Sequence, residues 1–190
     1  MAAFEKMKDS LTPGRVYRRE DLASLSSNLD RYLARLVEEG SLKKLKQGLY
    51  LCPAPSAFGE APPDESDLIA SFLRDDHFVI YSPNAFNQLG LGMTQLYNQR
   101  IVFNRKRHGE FNLAGRTYTF HRWREAPKRI TQEFLVVELL NRLNQLAENS
   151  DEVLSRLKKK LPQFDLRKLK LTARQYGTYS AQLKLNRLLS

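Results

Sequence analysis

The chain has 190 residues, of which 42% are hydrophobic and 27% are charged, a balance that supports a folded core and excludes a disordered protein. Lysine and arginine number 31 against 21 acidic residues, and the resulting net charge of +10 favours a polyanionic partner, either nucleic acid or a membrane surface. The single cysteine, Cys52, excludes an intramolecular disulfide and a multi-cysteine zinc site.

The N-terminal sequence has no apolar core of signal-peptide length, and no window approaches the roughly 18 apolar residues that a membrane span requires. His77, His108 and His121 are far apart in sequence, which argues against a histidine-rich metal centre. We therefore expect a soluble cytoplasmic protein that uses no metal ion and no cofactor.

The first 52 residues predict three short helices followed by a strand pair. In the third helix, Leu29, Leu33, Leu36 and Val37 recur at the spacing of one apolar stripe, and Gly40 follows in the position that ends a helix. In chain order, the predicted elements are helices 3–10, 18–24 and 28–39 and strands 42–46 and 49–51, with the turn Gln47-Gly48 between the strands.

A proline-rich segment follows, and it predicts an extended connector over residues 53–63, because proline fixes φ and lacks a backbone donor. We expect two domains, one over residues 1–52 and one over residues 64–190. The basic excess lies at the two ends of the chain, since residues 1–52 carry a net charge of +3 and residues 128–190 a net charge of +7.

The second predicted domain mixes strands and helices and ends in helices. Asp64 is placed to cap its first helix, and Gly90 is placed to end its second. The predicted elements are helix 64–74, strand 77–81, helix 84–89, strands 99–104 and 116–123 with a polar turn at 105–110, helices 131–147 and 151–161, and one or two helices within 164–189.

Helices and a hairpin in this order, within about 50 residues, predict a winged helix-turn-helix domain. Asn28, Arg31 and Arg35 recur at i, i+3 and i+7 on the non-core face of the third helix, and these residue types make bidentate contacts with base edges. Ser26 and Ser27 are the predicted N-cap residues of that helix. These serines, the arginines at the start of the second helix and the lysines on the hairpin suit phosphate contacts. The predicted DNA-binding set is Arg18, Arg19, Ser26, Ser27, Asn28, Arg31, Arg35, Lys43, Lys44 and Lys46.

Other patterns admit more than one explanation. A trihelical module is also typical of protein–protein adaptors. The run Asp75-Asp76-His77 is typical of an ordinary loop, and Gly90-Leu91-Gly92 lacks the other residues of a phosphate-binding loop. The run Lys158-Lys159-Lys160 predicts either a polyanion or partner contact or a solvated helix end. No nucleophile–base pair or cluster of catalytic carboxylates is present in the pattern, so we expect a protein that is not an enzyme.

Motifs within residues 14–104 are shared with a known family. They are Leu36–Leu42 (LVEEGSL), Gln47–Pro53 (QGLYLCP), Phe58-Gly59, Pro62-Pro63, Leu68–Ala70 (LIA), Ser82–Leu91 (SPNAFNQLGL) and Thr94-Gln95. On these residues the chain resembles the AbiEi-like antitoxins of bacterial abortive-infection (type IV) toxin–antitoxin systems. It departs from the family at Gln47, where a basic residue usually precedes the Gly-x-Tyr of the wing.

The resemblance implies an α+β protein in which an N-terminal winged helix-turn-helix is followed by a mixed α/β antitoxin-type domain ending in helices. It implies an autorepressor that binds double-stranded operator DNA in its own promoter. It also implies an antitoxin that counteracts a cognate nucleotidyltransferase-like toxin, by binding the toxin or through its target. The alternative is a winged-helix transcriptional regulator whose residues 64–190 serve as a sensor and dimerisation domain, with no toxin partner.

Overall fold

The structure, a computed structural model, describes residues 2–190 and is of mixed α+β class. The helices are α1 (Ala2–Asp9), α2 (Leu29–Glu38), α3 (Glu65–Leu73), α4 (Gln132–Arg142), α5 (Ser150–Lys160), α6 (Leu166–Tyr176) and α7 (Tyr179–Leu189). The strands are β1 (Val16–Arg18), β2 (Lys43–Lys46), β3 (Leu49–Leu51), β4 (Ala54–Ser56), β5 (Gly59–Ala61), β6 (Phe78–Tyr81), β7 (Arg100–Asn104), β8 (Gly109–Leu113) and β9 (Arg116–Arg122). Short 3-10 helices cover Arg19–Leu25, Pro83–Leu89, Leu143–Gln145 and Leu161–Gln163.

Within residues 2–190, no helix combines the length and the apolar composition that a membrane crossing needs.

The first sheet is antiparallel, with its three strands in the order β1-β3-β2. Val16 pairs with Leu51, and Lys43 pairs with Leu51 on the other side of β3. The predicted turn between β2 and β3 is confirmed, and Gly48 adopts a φ of 71° there, which glycine accepts without strain. A further four-stranded sheet has the order β6-β7-β9-β8, and within it β8 and β9 form an antiparallel hairpin.

The apolar stripe of α2 faces a small core, as the leucine spacing predicts. Leu29, Leu33 and Leu36 are buried, while Val37 packs at the edge of the cluster. The other members of this core are Phe4, Met7, Tyr17, Leu22, Leu42, Tyr50 and Cys52. Burial of these side chains, at about 25 cal/mol per Å² of apolar surface, is the main force that holds α1, α2 and the first sheet together.

The proline-rich segment differs from its prediction, because it forms the β4–β5 hairpin rather than an open connector. Ala54 pairs with Ala61 and Pro55 with Glu60. A two-stranded ribbon consists of edge strands only, so a proline can occupy one where its missing N–H faces no partner. The tip of the hairpin carries Phe58, which is fully exposed.

The chain forms two compact units, Met1–Phe78 with Phe103–Ala126 and Val79–Val102 with Pro127–Ser190. The predicted boundary at residues 53–63 does not coincide with this division, because α3 and the β8–β9 hairpin belong to the first unit. Each unit is assembled from two stretches of chain, an arrangement that local composition does not reveal. In the second unit α4 packs against the 3-10 helix Pro83–Leu89 and against α6 and α7.

Candidate nucleic-acid interface

The start of α2 is built differently from its prediction. The helix begins at Leu29, and its N-cap is Asn28 rather than Ser26 or Ser27. Ser26 Oγ instead accepts a hydrogen bond from the backbone N–H of Asn28 at 3.0 Å, which holds the turn before the helix. Ser27 is exposed. The Asn28 side chain makes no capping hydrogen bond, so its amide is not used to satisfy the helix terminus.

The outward face of α2 carries Asn28, Arg31 and Arg35 together. All three are exposed, and they line one shallow groove of about 560 Å³. The rest of the groove wall is formed by Phe4, Tyr32, Ala34 and Glu38. A row of one amide and two guanidinium groups along one helix face presents several hydrogen-bond donors and one acceptor in a line. That is the chemistry required to contact the edges of successive bases in a major groove.

The two arginines of this face differ in how they are held. The Arg35 Nε lies 2.7 Å from Glu39 Oε1, and its guanidinium lies 4.0 Å from the centre of the Phe4 ring. Hydrogen bonds from Arg35 and then from Lys8 lower the pKa of the Glu39 carboxyl. Within residues 2–190 Arg31 has no carboxylate partner, so it is the guanidinium on this face that is available to a ligand.

Arg18 and Arg19 are adjacent in sequence but lie in different surroundings. Arg19 is exposed and donates hydrogen bonds to the Asp30 carboxylate from both Nε (2.7 Å) and Nη2 (2.8 Å). These hydrogen bonds raise the pKa of Arg19. The Arg18 side chain is only 18% exposed, and its Nε lies 3.2 Å from Glu20. Burial lowers the pKa of Arg18. The Arg19 guanidinium is therefore at the surface but paired with Asp30, while the Arg18 side chain is partly buried.

The three predicted hairpin lysines are all exposed, yet they have different neighbours. Lys43 Nζ lies 3.0 Å from Glu60 on the β4–β5 hairpin. Lys46 Nζ lies 4.8 Å from the ring centre of Phe111, over its face. Lys44 has no carboxylate partner within residues 2–190. The lysine that is freest to meet a phosphate is therefore Lys44, and Lys46 is held in place without being neutralised.

One basic segment was missed by the sequence interpretation, which treated residues 105–110 as a polar turn. Arg105, Lys106 and Arg107 are consecutive, exposed and in the first unit. The signal was present in the sequence as three adjacent cations. The sequence does not show which residues surround these cations. In the fold, Arg107 lies over the same aromatic rings as Lys46.

The lysine run at the end of α5 is not uniformly solvated. Lys158 and Lys159 are exposed, but Lys160 is half-buried and its Nζ donates to the carbonyl of Leu89 at 3.1 Å. One turn earlier, Arg156 donates to the carbonyls of Leu91 and Gly92. The expectation that all three lysines face solvent is therefore wrong for Lys160, which helps to hold the loop that follows the 3-10 helix Pro83–Leu89.

A cluster of three candidate metal ligands, Asp75, Asp76 and His77, lies in the loop between α3 and β6. His77 Nδ1 is 3.0 Å from Asp75 Oδ1 and 2.8 Å from Asp76 Oδ1. Lys106 also lies 3.8 Å from Asp75. The carboxylates are thus engaged by the histidine and the lysine, and the cluster has the features of an ordinary charged loop.

The second unit contains a buried polar network that the sequence did not reveal. Glu138 is 2% exposed and accepts hydrogen bonds from the Tyr81 hydroxyl, from Arg142 Nε at 3.0 Å and from Asn141 Nδ2 at 2.7 Å. Asn141 also donates to the carbonyl of Tyr176. Burial, and then the neighbouring Glu138 charge, raise the pKa of Tyr81. Glu138 and Tyr81 are buried and Asn141 and Arg142 are partly buried, and together they join β6, α4 and α6.

Comparisons with known proteins indicate the fold only. No protein-family model matches the chain, and no curated protein matches it. Among solved structures, the crystal structure of the RV2827C protein from Mycobacterium tuberculosis is similar, with a TM-score of 0.61 and 14% sequence identity. The match covers 98% of this chain and 74% of that one. At this level of identity the likeness shows that the two proteins share a fold.

Proposed function

We propose that this protein binds double-stranded DNA through a winged helix-turn-helix formed by α1, β1, the 3-10 helix Arg19–Leu25, α2, β2 and β3. The observation that carries the proposal is the exposed row of Asn28, Arg31 and Arg35 on α2. In a helix-turn-helix, the second helix of the pair enters the major groove and uses such side chains to contact bases.

The order of the elements supports the same proposal. A winged helix typically has the element order helix, strand, helix, helix, strand, strand. This chain has that order, and its first sheet is ordered β1-β3-β2. In this arrangement α2 is the recognition helix and the β2–β3 hairpin is the wing. Lys44 is a wing lysine that has neither a carboxylate partner nor, unlike Lys46, an aromatic ring beneath it within residues 2–190, so it is placed to meet the DNA backbone.

The charges around α2 also support binding to a polyanion. Two of the three acidic groups near this face are engaged by cations, since Asp30 accepts from Arg19 and Glu39 accepts from Arg35 and Lys8. The third, Glu38 in the groove wall, has no cation partner within residues 2–190. Arg31 on α2 and Lys44 on the wing are among the cations within residues 2–190 that have no carboxylate partner. The whole chain carries +10, which attracts any nucleic acid at long range.

We further propose that the protein is an antitoxin and an autorepressor of a type IV toxin–antitoxin system. This step depends on the resemblance of residues 14–104 to AbiEi-like antitoxins. In this proposal the winged helix binds operator DNA in the promoter of its own operon, and the rest of the chain counteracts a nucleotidyltransferase-like toxin. The alternative is a regulator that senses a small ligand and lacks a toxin partner. The presence of a nucleotidyltransferase gene next to the gene for this protein would distinguish the antitoxin from that regulator.

The DNA proposal is tested with the full-length protein and duplexes selected from a random pool. Arg31→Ala is expected to cost about 1–3 kcal/mol on the selected site and less on random DNA, because a base contact discriminates between sequences. Arg187→Ala is the matched control, since it removes one exposed arginine from α7 of the second unit, outside the proposed interface. Equal losses on both duplexes would assign Arg31 to a phosphate contact. No loss on either would favour a protein–protein adaptor.

The antitoxin proposal is tested by growth of cells that express the product of the adjacent gene, with and without this protein. Restored growth is the expected result. Repression is measured separately, with a reporter placed behind the operon's own promoter. Repression by the protein together with no rescue of growth would favour the regulator without a toxin partner.

A further inference from the structure

A second cationic surface on the first unit is centred on the turn between β7 and β8. We call Arg105, Lys106 and Arg107 the basic turn. All three side chains are exposed. Adjacent like charges repel one another, so a turn of this composition carries an electrostatic cost in the free protein that a bound anion would relieve.

The basic turn is fixed by one buried amide. Asn104 is 1% exposed, and its Oδ1 accepts hydrogen bonds from the backbone N–H groups of Lys106 at 2.8 Å and Arg107 at 2.6 Å. Its Nδ2 donates to the carbonyl of Arg107 at 2.9 Å. The backbone of the turn is therefore preorganised, and little conformational entropy remains to be lost there when a ligand binds.

The basic turn meets the wing over a pair of aromatic rings. Phe72 of α3 and Phe111 of β8 pack with their ring centres 5.1 Å apart. Arg107 lies 4.4 Å from the centre of Phe72, and Lys46 lies 4.8 Å from the centre of Phe111. Cation–π attraction holds both charges near the rings, and it leaves the charge itself intact.

The two cations above the rings are not neutralised. Within residues 2–190 neither Lys46 nor Arg107 has a carboxylate partner. Arg74, whose guanidinium is paired with Glu20, is also close, because Lys106 Nζ donates to the Arg74 carbonyl. Within the basic turn itself, Lys106 lies 3.8 Å from Asp75, while Arg105 and Arg107 have no carboxylate partner within residues 2–190.

The surface also lies close to α2 through a chain of contacts. Lys46 ends β2, and Gly48 of the following turn accepts a hydrogen bond from the backbone N–H of Arg19 at 3.0 Å. Arg19 in turn holds Asp30 in the first turn of α2. The basic turn is therefore adjacent to the wing, and the turn of the wing is hydrogen-bonded to the segment that precedes α2.

We infer that the basic turn, together with Lys46, is a second phosphate-binding surface, which contacts the backbone of the same DNA duplex that α2 reads. The inference rests on the proposed DNA binding and extends it beyond the winged helix. The contacts carry no sequence information, because phosphates are the same at every position. Their contribution is affinity that depends steeply on salt.

The test measures affinity of the full-length protein for a mixed-sequence duplex over a range of salt concentrations. Arg105→Gln and Arg107→Gln each remove one cation of the basic turn. Each variant is expected to neutralise one phosphate fewer, so the slope of log K, where K is the association constant, against log salt should become shallower by about 0.9. At about 0.1 M salt this change in slope corresponds to about eight-fold weaker binding. Thermal unfolding checks that each variant is folded. If Arg107→Gln does not fold, Arg105→Gln still tests the inference, because Arg105 lies away from the aromatic rings.

Arg187→Gln is the control, since it makes the same change of charge at an exposed arginine of α7 in the second unit, outside the proposed interface. Turn variants that behave like this control would overturn the inference. So would an unchanged slope with the duplex and a reduced slope with single-stranded RNA, which would assign the turn to RNA. If Arg31→Ala loses sequence preference while the turn variants bind normally, the winged-helix proposal stands and this inference fails. If the wild-type protein binds no duplex, both fail.

Discussion

Arg19 and Asp30 form a two-pronged ion pair that joins the 3-10 helix Arg19–Leu25 to the first turn of α2. Both side chains are exposed, and the hydrogen bonds from Arg19 lower the pKa of Asp30. In the proposed complex this pair lies at the edge of the DNA interface. In that complex, Asp30 would keep the Arg19 guanidinium from contacting a phosphate, and the Asp30 carboxylate would also repel the phosphates.

Asp30→Asn is expected to strengthen binding to DNA of any sequence. The substitution removes a negative charge and frees the Arg19 guanidinium, so the slope of log K against log salt should steepen by about one unit. The measurement is a salt titration with a mixed-sequence duplex. Glu125→Gln is the control, because Glu125 is an exposed carboxylate elsewhere in the first unit. Weaker binding by Asp30→Asn would mean that Asp30 orients Arg19 for its phosphate contact.

Arg35→Ala is expected to lower stability, and Arg31→Ala is not. The Arg35 guanidinium lies over Phe4, a contact worth about 0.5–1 kcal/mol at a surface. Arg31 has no partner of this kind within residues 2–190. Urea unfolding of the two variants measures the difference directly. Equal midpoints would show that the Arg35–Phe4 contact adds nothing to the free energy of unfolding.

The parts of the fold that follow from local patterns were predictable. The leucine spacing of α2, the Gln47-Gly48 turn and the cap at Asp64 each depend on residues within a few positions of one another. The row of Asn28, Arg31 and Arg35 was also predictable, because helical periodicity alone places them on one face.

The partners of these residues were not predictable, because they come from distant parts of the chain. The rings beneath Lys46 belong to residues 72 and 111. Glu138 falls on the inward face of α4 by periodicity, but only the fold supplies Tyr81 as its partner. A local pattern likewise gives no sign that residues 103–126 return to the first compact unit.

Glu138→Ala is expected to destabilise the second unit by about 3–5 kcal/mol, because the substitution leaves Arg142 as a buried cation without its carboxylate. The Tyr81 hydroxyl and the Asn141 amide lose a partner as well. The free energy of unfolding in urea is the measurement. Glu133→Ala is the control on the same helix, since Glu133 lies in the first turn of α4. Equal effects of the two substitutions would show that the network contributes no more than a carboxylate at the helix start.

Tyr81 is expected to make stability fall at high pH. Its pKa is raised in the folded protein, chiefly by burial. The folded state therefore holds the phenol proton more tightly than the unfolded state does. The corresponding stability is fully present below the unfolded pKa of about 10, and it is lost as the pH rises above that value. Unfolding midpoints measured across this range should fall, and the fall should be smaller in Tyr81→Phe. Identical pH profiles would contradict the prediction.

The lysines at the end of α5 are expected to separate into one structural residue and two surface residues. Lys160→Ala removes the charge-assisted hydrogen bond to the Leu89 carbonyl and should cost about 1 kcal/mol of stability, since the lysine is only half-buried. The double reversal Lys158→Glu and Lys159→Glu should lower the unfolding midpoint only through the unfavourable interaction of two carboxylates with the C-terminal end of α5, because both side chains are exposed and the protein should stay folded.

The same pair of variants tests whether this helix end contacts a toxin or a polyanion. In the growth assay with the product of the adjacent gene, the double reversal should weaken protection while the protein stays folded, because reversing two exposed charges repels an acidic partner. Lys160→Ala should weaken protection only as far as it lowers the amount of folded protein. Full protection by the double reversal, at wild-type protein level, would remove Lys158 and Lys159 from any partner site and leave α5 with the single role of holding the Leu89–Gly92 loop.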